Sequence, residues 1–80
     1  MIKILFFGAA ADRAGTRQTQ LDVREGTTLA GIWPLLIREH PDLGPMQDTL
    51  AFAVNGEYAR GGDAVAPGDE VAVLPPVSGG

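Results

Sequence analysis

The stretch Ile2-Lys3-Ile4-Leu5-Phe6-Phe7 decides how this chain is read. Branched and aromatic residues closed by Gly8 make a strand. Side chains alternate along a strand, so Ile2, Ile4 and Phe6 share one face, and Lys3, Leu5 and Phe7 the other. The first set suits a core. The second set holds Leu5 and Phe7, which then need a different explanation.

Working outward, Ala9 to Ala14 reads as a helical turn closed by Gly15 as its C′ residue. Residues 16–23 alternate again, with Thr19, Leu21 and Val23 on one side and Gln18, Gln20 and Asp22 on the other. This half-buried strand is expected to pair antiparallel with the first. Glu25-Gly26 makes a turn, after which Thr27 or Thr28 caps a helix. Leu29, Ile32, Trp33, Leu36 and Ile37 form its apolar stripe. Pro34 lacks the N–H that would bond to Ala30, which predicts a kink, or a helix whose regular part begins near Trp33. Pro41 stops the helix, with His40 at its end, where a cationic side chain suits the helix dipole. Residues 42–49 read as an irregular connection.

Residues 50–54 form a third strand, and Asn55-Gly56 turns it into a short return from Glu57 to Arg60. Pro67-Gly68 suits a type II turn before the last strand, residues 70–74. Two strands, a helix and three more strands predict an α+β fold, with a mixed sheet and the helix on one face. The first and last strands are expected side by side and parallel. Val71 and Val73 then join the core, and Leu74 falls on the open face with Leu5 and Phe7, near Tyr58. These residues read as a partner surface unless residues 9–14 or 42–49 cover them.

Eighty residues make one domain, 1–80. The six basic residues are scattered among ten acidic ones, for a net charge of −4, so no basic stripe offers a nucleic-acid site. The apolar run Ile4 to Ala11 is too short to span a bilayer. It mimics a signal peptide, but only four apolar residues precede Gly8, and a cytoplasmic protein is expected. There is no cysteine and a single histidine, which argues against zinc sites and against Ser-His or Cys-His catalysis. Asp69-Glu70 with Asp63 could be imagined as an acid/base pair, but Asp69 follows a Pro-Gly turn and reads as a turn residue.

The chain ends Val73-Leu74-Pro75-Pro76-Val77-Ser78-Gly79-Gly80. Pro75-Pro76 ends strand pairing and keeps the base of the tail stiff and extended. Val77-Ser78-Gly79-Gly80 brings no side-chain charge that would need desolvation. Two glycines and a free carboxylate suit a channel too narrow for any other residue, although a frayed terminus or a cloning scar also ends this way. A carboxylate acylates poorly until ATP activates it. Neither G-x-x-x-x-G-K-[ST] nor G-x-G-x-x-G is present, so another enzyme must supply that step.

Ile2-Lys3-Ile4-Leu5-Phe6-Phe7, Gly15, Ala53-Val54-Asn55-Gly56, Pro67-Gly68-Asp69-Glu70-Val71-Ala72 and Pro75-Pro76-Val77-Ser78-Gly79-Gly80 together resemble the small subunit of molybdopterin synthase, the MoaD family of ubiquitin-like sulfur carriers. The resemblance runs the full length and is most specific in the tail. It implies a β-grasp (ubiquitin-like) domain over 1–80, with about five strands, one main helix and an extended tail over 75–80. It implies that Gly80 is adenylated by an E1-like enzyme of MoeB type, which uses ATP. Sulfur from a persulfide donor protein then yields a thiocarboxylate. The resemblance further implies that Gly79 and Gly80 enter the large (MoaE-type) subunit in a heterotetramer and give sulfur to cyclic pyranopterin monophosphate. It also implies no bound cofactor or metal and no activity for the small subunit alone. Phe7, Tyr58, Leu74, Pro75, Pro76, Val77 and Ser78 are the implied partner contacts.

Two features depart from the family pattern. Ala11-Asp12-Arg13 stands where an Arg-Glu pair is common, which puts a contact at Ala11 in doubt, and Pro34 is unusual inside the helix. Alternatives are a thiamine-pathway (ThiS-like) carrier, which usually lacks the Pro-Pro, a ubiquitin-like protein modifier, and an interaction module with an inert tail.

Overall fold

Strand β1, Ile2–Phe6, lies between two partners. On one side it pairs antiparallel with β2, Gln18–Leu21, placing Ile2 opposite Leu21 and Ile4 opposite Thr19. On the other it runs parallel to β5, Glu70–Leu74, with Ile4 beside Val71 and Phe6 beside Val73. β5 also pairs antiparallel with β3, Ala51–Val54, and β3 with β4, Glu57–Ala59. The sheet order is β2-β1-β5-β3-β4. This computed structural model describes residues 1–75.

A parallel pair cannot be joined by a hairpin and needs a crossover. Here the chain between β1 and β5 carries helix α2, Leu29–Glu39, across one sheet face. Leu29, Ile32, Trp33 and Leu36 meet Ile2, Ile4, Phe6, Leu21, Phe52, Val71 and Val73 in one buried cluster. Trp33 lies against Phe52, with ring centroids 4.7 Å apart. Each fully buried aliphatic side chain of this kind contributes roughly 1.5–3 kcal/mol.

α2 begins where the threonines predict. Thr28 is the N-cap, its Oγ1 accepting from the Gly31 N–H at 3.3 Å. The remaining first-turn donors are met by a neighbouring loop, Leu29 N–H bonding to the Asp63 carbonyl and Ala30 N–H to that of Gly61, both at 2.9 Å. Of the two expectations at Pro34, a kink or a regular helix beginning only near Trp33, the second is corrected, since α2 is continuous from Leu29 through Pro34. Proline at 34 removes only the bond to Ala30. Both residues are exposed, and the well-capped first turn tolerates the loss.

The connection expected to be irregular over 42–49 is a 3₁₀ helix, Pro41–Thr49, pinned by the fully buried Leu43. Prolines at both 41 and 45 break any α-helical period, which hid it from pattern reading. The short helix α1, Ala9–Ala14, ends at Gly15 in the left-handed conformation, as predicted. His40 is structural. Its Nδ1 donates to the Ala14 carbonyl at 3.1 Å, joining the end of α2 to α1, and Phe6 meets its ring edge-on.

Asn55 and Gly56 both take positive φ, 51° and 88°, which closes the β3–β4 turn. The Asn55 side chain then reaches the start of β5. Its Oδ1 accepts from Glu70 N–H at 3.0 Å, and its Nδ2 donates to Asp69 at 3.1 Å. Asp69 also accepts from the Ala66 N–H at 2.8 Å across the Pro67-Gly68 turn. Of the acidic residues weighed as an acid/base pair, Asp69 is thus a turn cap, and Asp63 likewise accepts from the Arg60 N–H at 2.9 Å.

The strand faces are tested by one substitution at adjacent positions. Val71→Asp puts an unpaired charge in the core and should cost more than about 4 kcal/mol, enough to unfold a domain of this size. Ala72→Asp, on the opposite face, should stay within about 1 kcal/mol by urea denaturation. Asp69 gives a second prediction. The Ala66 N–H, and then the Asn55 amide, hold its carboxyl below the ordinary 3.8. Its contribution to stability is therefore complete above the unfolded value and is lost as pH falls through the lower folded one. Acidification below about pH 4 should cost the native protein more stability than the Asp69→Asn variant.

Candidate functional site

The face of the sheet away from α2 is built by register. Gln18, Leu5, Ala72, Ala53 and Tyr58 lie opposite one another in a row across all five strands. The Phe7 N–H donates to the Val73 carbonyl at 3.2 Å, which carries β1 one residue further beside β5. Alternation then places Phe7 next to Leu74, and Leu74 faces Ala51 on β3. The result is a shallow floor of Ala51, Ala53 and Ala72, with Leu5, Phe7 and Leu74 on one side and Tyr58 on the other.

Phe7 is 45% exposed and Tyr58 76%. A large aromatic ring on the surface is uncommon enough to ask about, and two on one face make a patch. The segments that might have covered it are held elsewhere. Ala10 of α1 and Leu43 of the 3₁₀ helix are both drawn into the α2-side core. α1 only borders the patch, where Leu5, Phe7, Gly8, Ala11, Arg17 and Gln18 line a groove of about 560 Å³.

The sheet edges are less open than the face. The Arg17 carbonyl bonds inward to Phe6, so the backbone groups of Gln18 point outward. The Thr16 hydroxyl engages them, donating to the Gln18 carbonyl at 3.1 Å and accepting from its N–H at 3.5 Å. β4 is only three residues long. Short or self-bonded edges discourage strand addition, so a partner is expected to use the face.

Leu5, Phe7, Leu74 and Tyr58 therefore fall together as the sequence suggested, although Tyr58 stands two strands away from Leu74. The sequence reading missed the alanine floor, though its parity along β3 and β5 was available. It also missed the seat that Gly8 offers Pro75, for which no sequence signal exists. Pro75 is half-buried at the end of β5. Pro76, Val77, Ser78, Gly79 and Gly80 lie outside the described residues. Among the described residues, no group of three or more His, Asp or Glu side chains is placed to hold a metal ion, and no helix is long and apolar enough to cross a membrane.

A five-stranded mixed sheet grasping one helix, with an uncovered face beside its last strand, defines a ubiquitin-like β-grasp protein. The solved structure of the modifier protein SAMP1 from Haloferax volcanii superposes with a TM-score of 0.88 at 34% identity, covering 99% of this chain and 98% of that one. The chain belongs to the ThiS family, whose model matches residues 4–80. It is 34% identical to the molybdopterin synthase sulfur carrier subunit of Homo sapiens, over 99% of this chain and 93% of that protein. The same fold occurs in a complex of subunits 1 and 2 of the molybdopterin-converting factor from Helicobacter pylori, at a TM-score of 0.70 and 21% identity, covering 99% of this chain and 97% of that one.

Proposed function

We propose that this protein is the sulfur-carrier subunit of a molybdopterin synthase, with Gly80 as the group that carries the sulfur. The observation that carries the reading is the juxtaposition of an uncovered apolar face with the exit of an uncharged, glycine-ended tail. Near-full-length similarity to carrier subunits of that name supports it.

The division of labour follows from the chemistry. An E1-like, MoeB-type enzyme brings ATP. The Gly80 carboxylate attacks the α-phosphorus, and pyrophosphate leaves. A persulfide from the donor protein displaces AMP, and cleavage of the resulting S–S bond by a thiol leaves a thiocarboxylate. Sulfur is a better nucleophile than carboxylate oxygen, so the tail can then attack cyclic pyranopterin monophosphate in the large subunit. This chain contributes docking and reach. Phe7, Leu74 and Tyr58 bury apolar area against the MoaE-type subunit, and a solved complex of subunits 1 and 2 of a molybdopterin-converting factor in this fold supports a large-subunit partner. Pro75 and Pro76 stiffen the base of the tail, while Gly79 and Gly80 present no side chain to the channel.

A second reading has its own support, because a relative of equal identity is a modifier protein. In that case an amine displaces AMP and an isopeptide bond forms. High-mass adducts in cells, sensitive to loss of Gly80, would distinguish it.

Incubation with ATP, a MoeB-type enzyme and a sulfur source should add the mass of one sulfur replacing one oxygen, localised to the C-terminal peptide. Deleting Gly80 should abolish that gain with no change in melting temperature. An unchanged yield would defeat the carrier reading. Phe7→Asp should weaken binding to the large subunit at least about tenfold by calorimetry, since a charge must then be desolvated in an apolar contact. Unaltered affinity would place the interface elsewhere.

A further inference from the structure

Gly8 stands between β1 and α1 with φ 54° and ψ −130°, a region that glycine alone enters at low cost. It differs from the other glycines with positive φ. A Cβ added at Gly15, Gly26, Gly56 or Gly68 would meet open space, so those positions need only the backbone freedom. A Cβ at Gly8 would stand 3.1 Å from Cγ of Pro75, and 3.8 and 3.9 Å from Cδ and Cβ of the same ring. The proline ring lies on the bare backbone. That backbone is itself anchored. The Gly8 carbonyl accepts from the Ala11 and Asp12 N–H groups at 3.0 and 3.2 Å, and Phe7 bonds to Val73.

We propose that Gly8 is a positioning residue for the tail, a flat seat for the Pro75 ring that sets the direction in which residues 76–80 leave the sheet. Proline fixes its own φ. Seating its ring therefore fixes the first link of the tail relative to the docking face. The functional consequence rests on the carrier reading, but the seat itself does not. The lever is long. Five residues beyond Pro75 reach at most about 17 Å, so with those residues fully extended a tilt of about 10° at the seat would move the reactive end by up to about 3 Å. Reaction geometry tolerates less than that, a misplacement of about 1 Å costing as much as 100-fold in rate.

Two readouts test the seat. The chain has no cysteine, so nitroxides on Gln20→Cys and Ser78→Cys report tail direction by pulsed EPR without any activity. Gly8→Ala and Pro75→Ala should each shift the distance distribution, and the double variant should shift it no further than the larger single change. An unchanged distribution in Pro75→Ala, or strictly additive shifts, would overturn the seat. In single-turnover sulfur transfer at saturating large subunit, each variant should be slower by about tenfold or more. For Gly8→Ala, affinity for that subunit should stay within about threefold, which a merely destabilised fold would not produce. Equal loss of affinity and rate, or an unaltered rate, would overturn the positioning role. Should Gly8→Ala fail to fold, folding restored in the double variant would support the contact, and Pro75→Ala alone would still decide it. A native carrier that takes up no sulfur would defeat the carrier reading and leave the EPR result standing.

Discussion

The parallel pairing of β1 with β5 is the constraint on which the rest depends. It sets Ile4 beside Val71 and Phe6 beside Val73 at the floor of the core. It obliges the intervening chain to cross a face, and α2 does so with its apolar stripe inward. It also brings the ends of the first and last strands together. The strand that begins the sequence finishes at Phe7 and Gly8, beside the place where β5 finishes at Leu74 and Pro75.

That coincidence links folding to function. The same hydrogen bond that extends the pairing, Phe7 N–H to the Val73 carbonyl, fixes an exposed aromatic ring at the root of the tail. Parity does the sorting. Even-numbered residues of β1 and odd-numbered residues of β5 build the core, and the other set lies on the open face. A one-residue slip would exchange the two sets. The register is held at its other end by Asn55 and Asp69, which tie the β3–β4 turn to the start of β5. A small domain without cysteine, and so without disulfides, has few means of holding register, and this polar clasp is one of them.

On the proposed carrier reading, this chain docks and reaches, and a catalytic cluster in its own body is not required. The side chains that might have suggested one have structural duties. Asp63 and Asp69 cap turns, and His40 joins α1 to α2. What remains for partners is the face. Thr16 engages the outward backbone of Gln18 at one edge of the sheet, and the other edge is three residues long.

Strand alternation, the threonine cap, the Asn55-Gly56 turn and the apolar stripe of α2 were legible because each is a local preference written within a few residues. Leu5, Phe7 and Leu74 were legible as an unpartnered set for the same reason, since side-chain parity is local. The 3₁₀ helix was not, because Leu43 is its only buried anchor and that burial depends on α1 and α2. Nor was the unbroken course of α2 through Pro34, because loop residues 61–63 satisfy its first turn from far along the chain. By itself the sequence determined the elements, the two strand faces and the character of the tail. Only the tertiary structure decided that three alanines from two strands floor the open face, and that Pro75 rests on Gly8. Both depend on long-range register and on the absence of a side chain, which become visible only once distant segments are in contact.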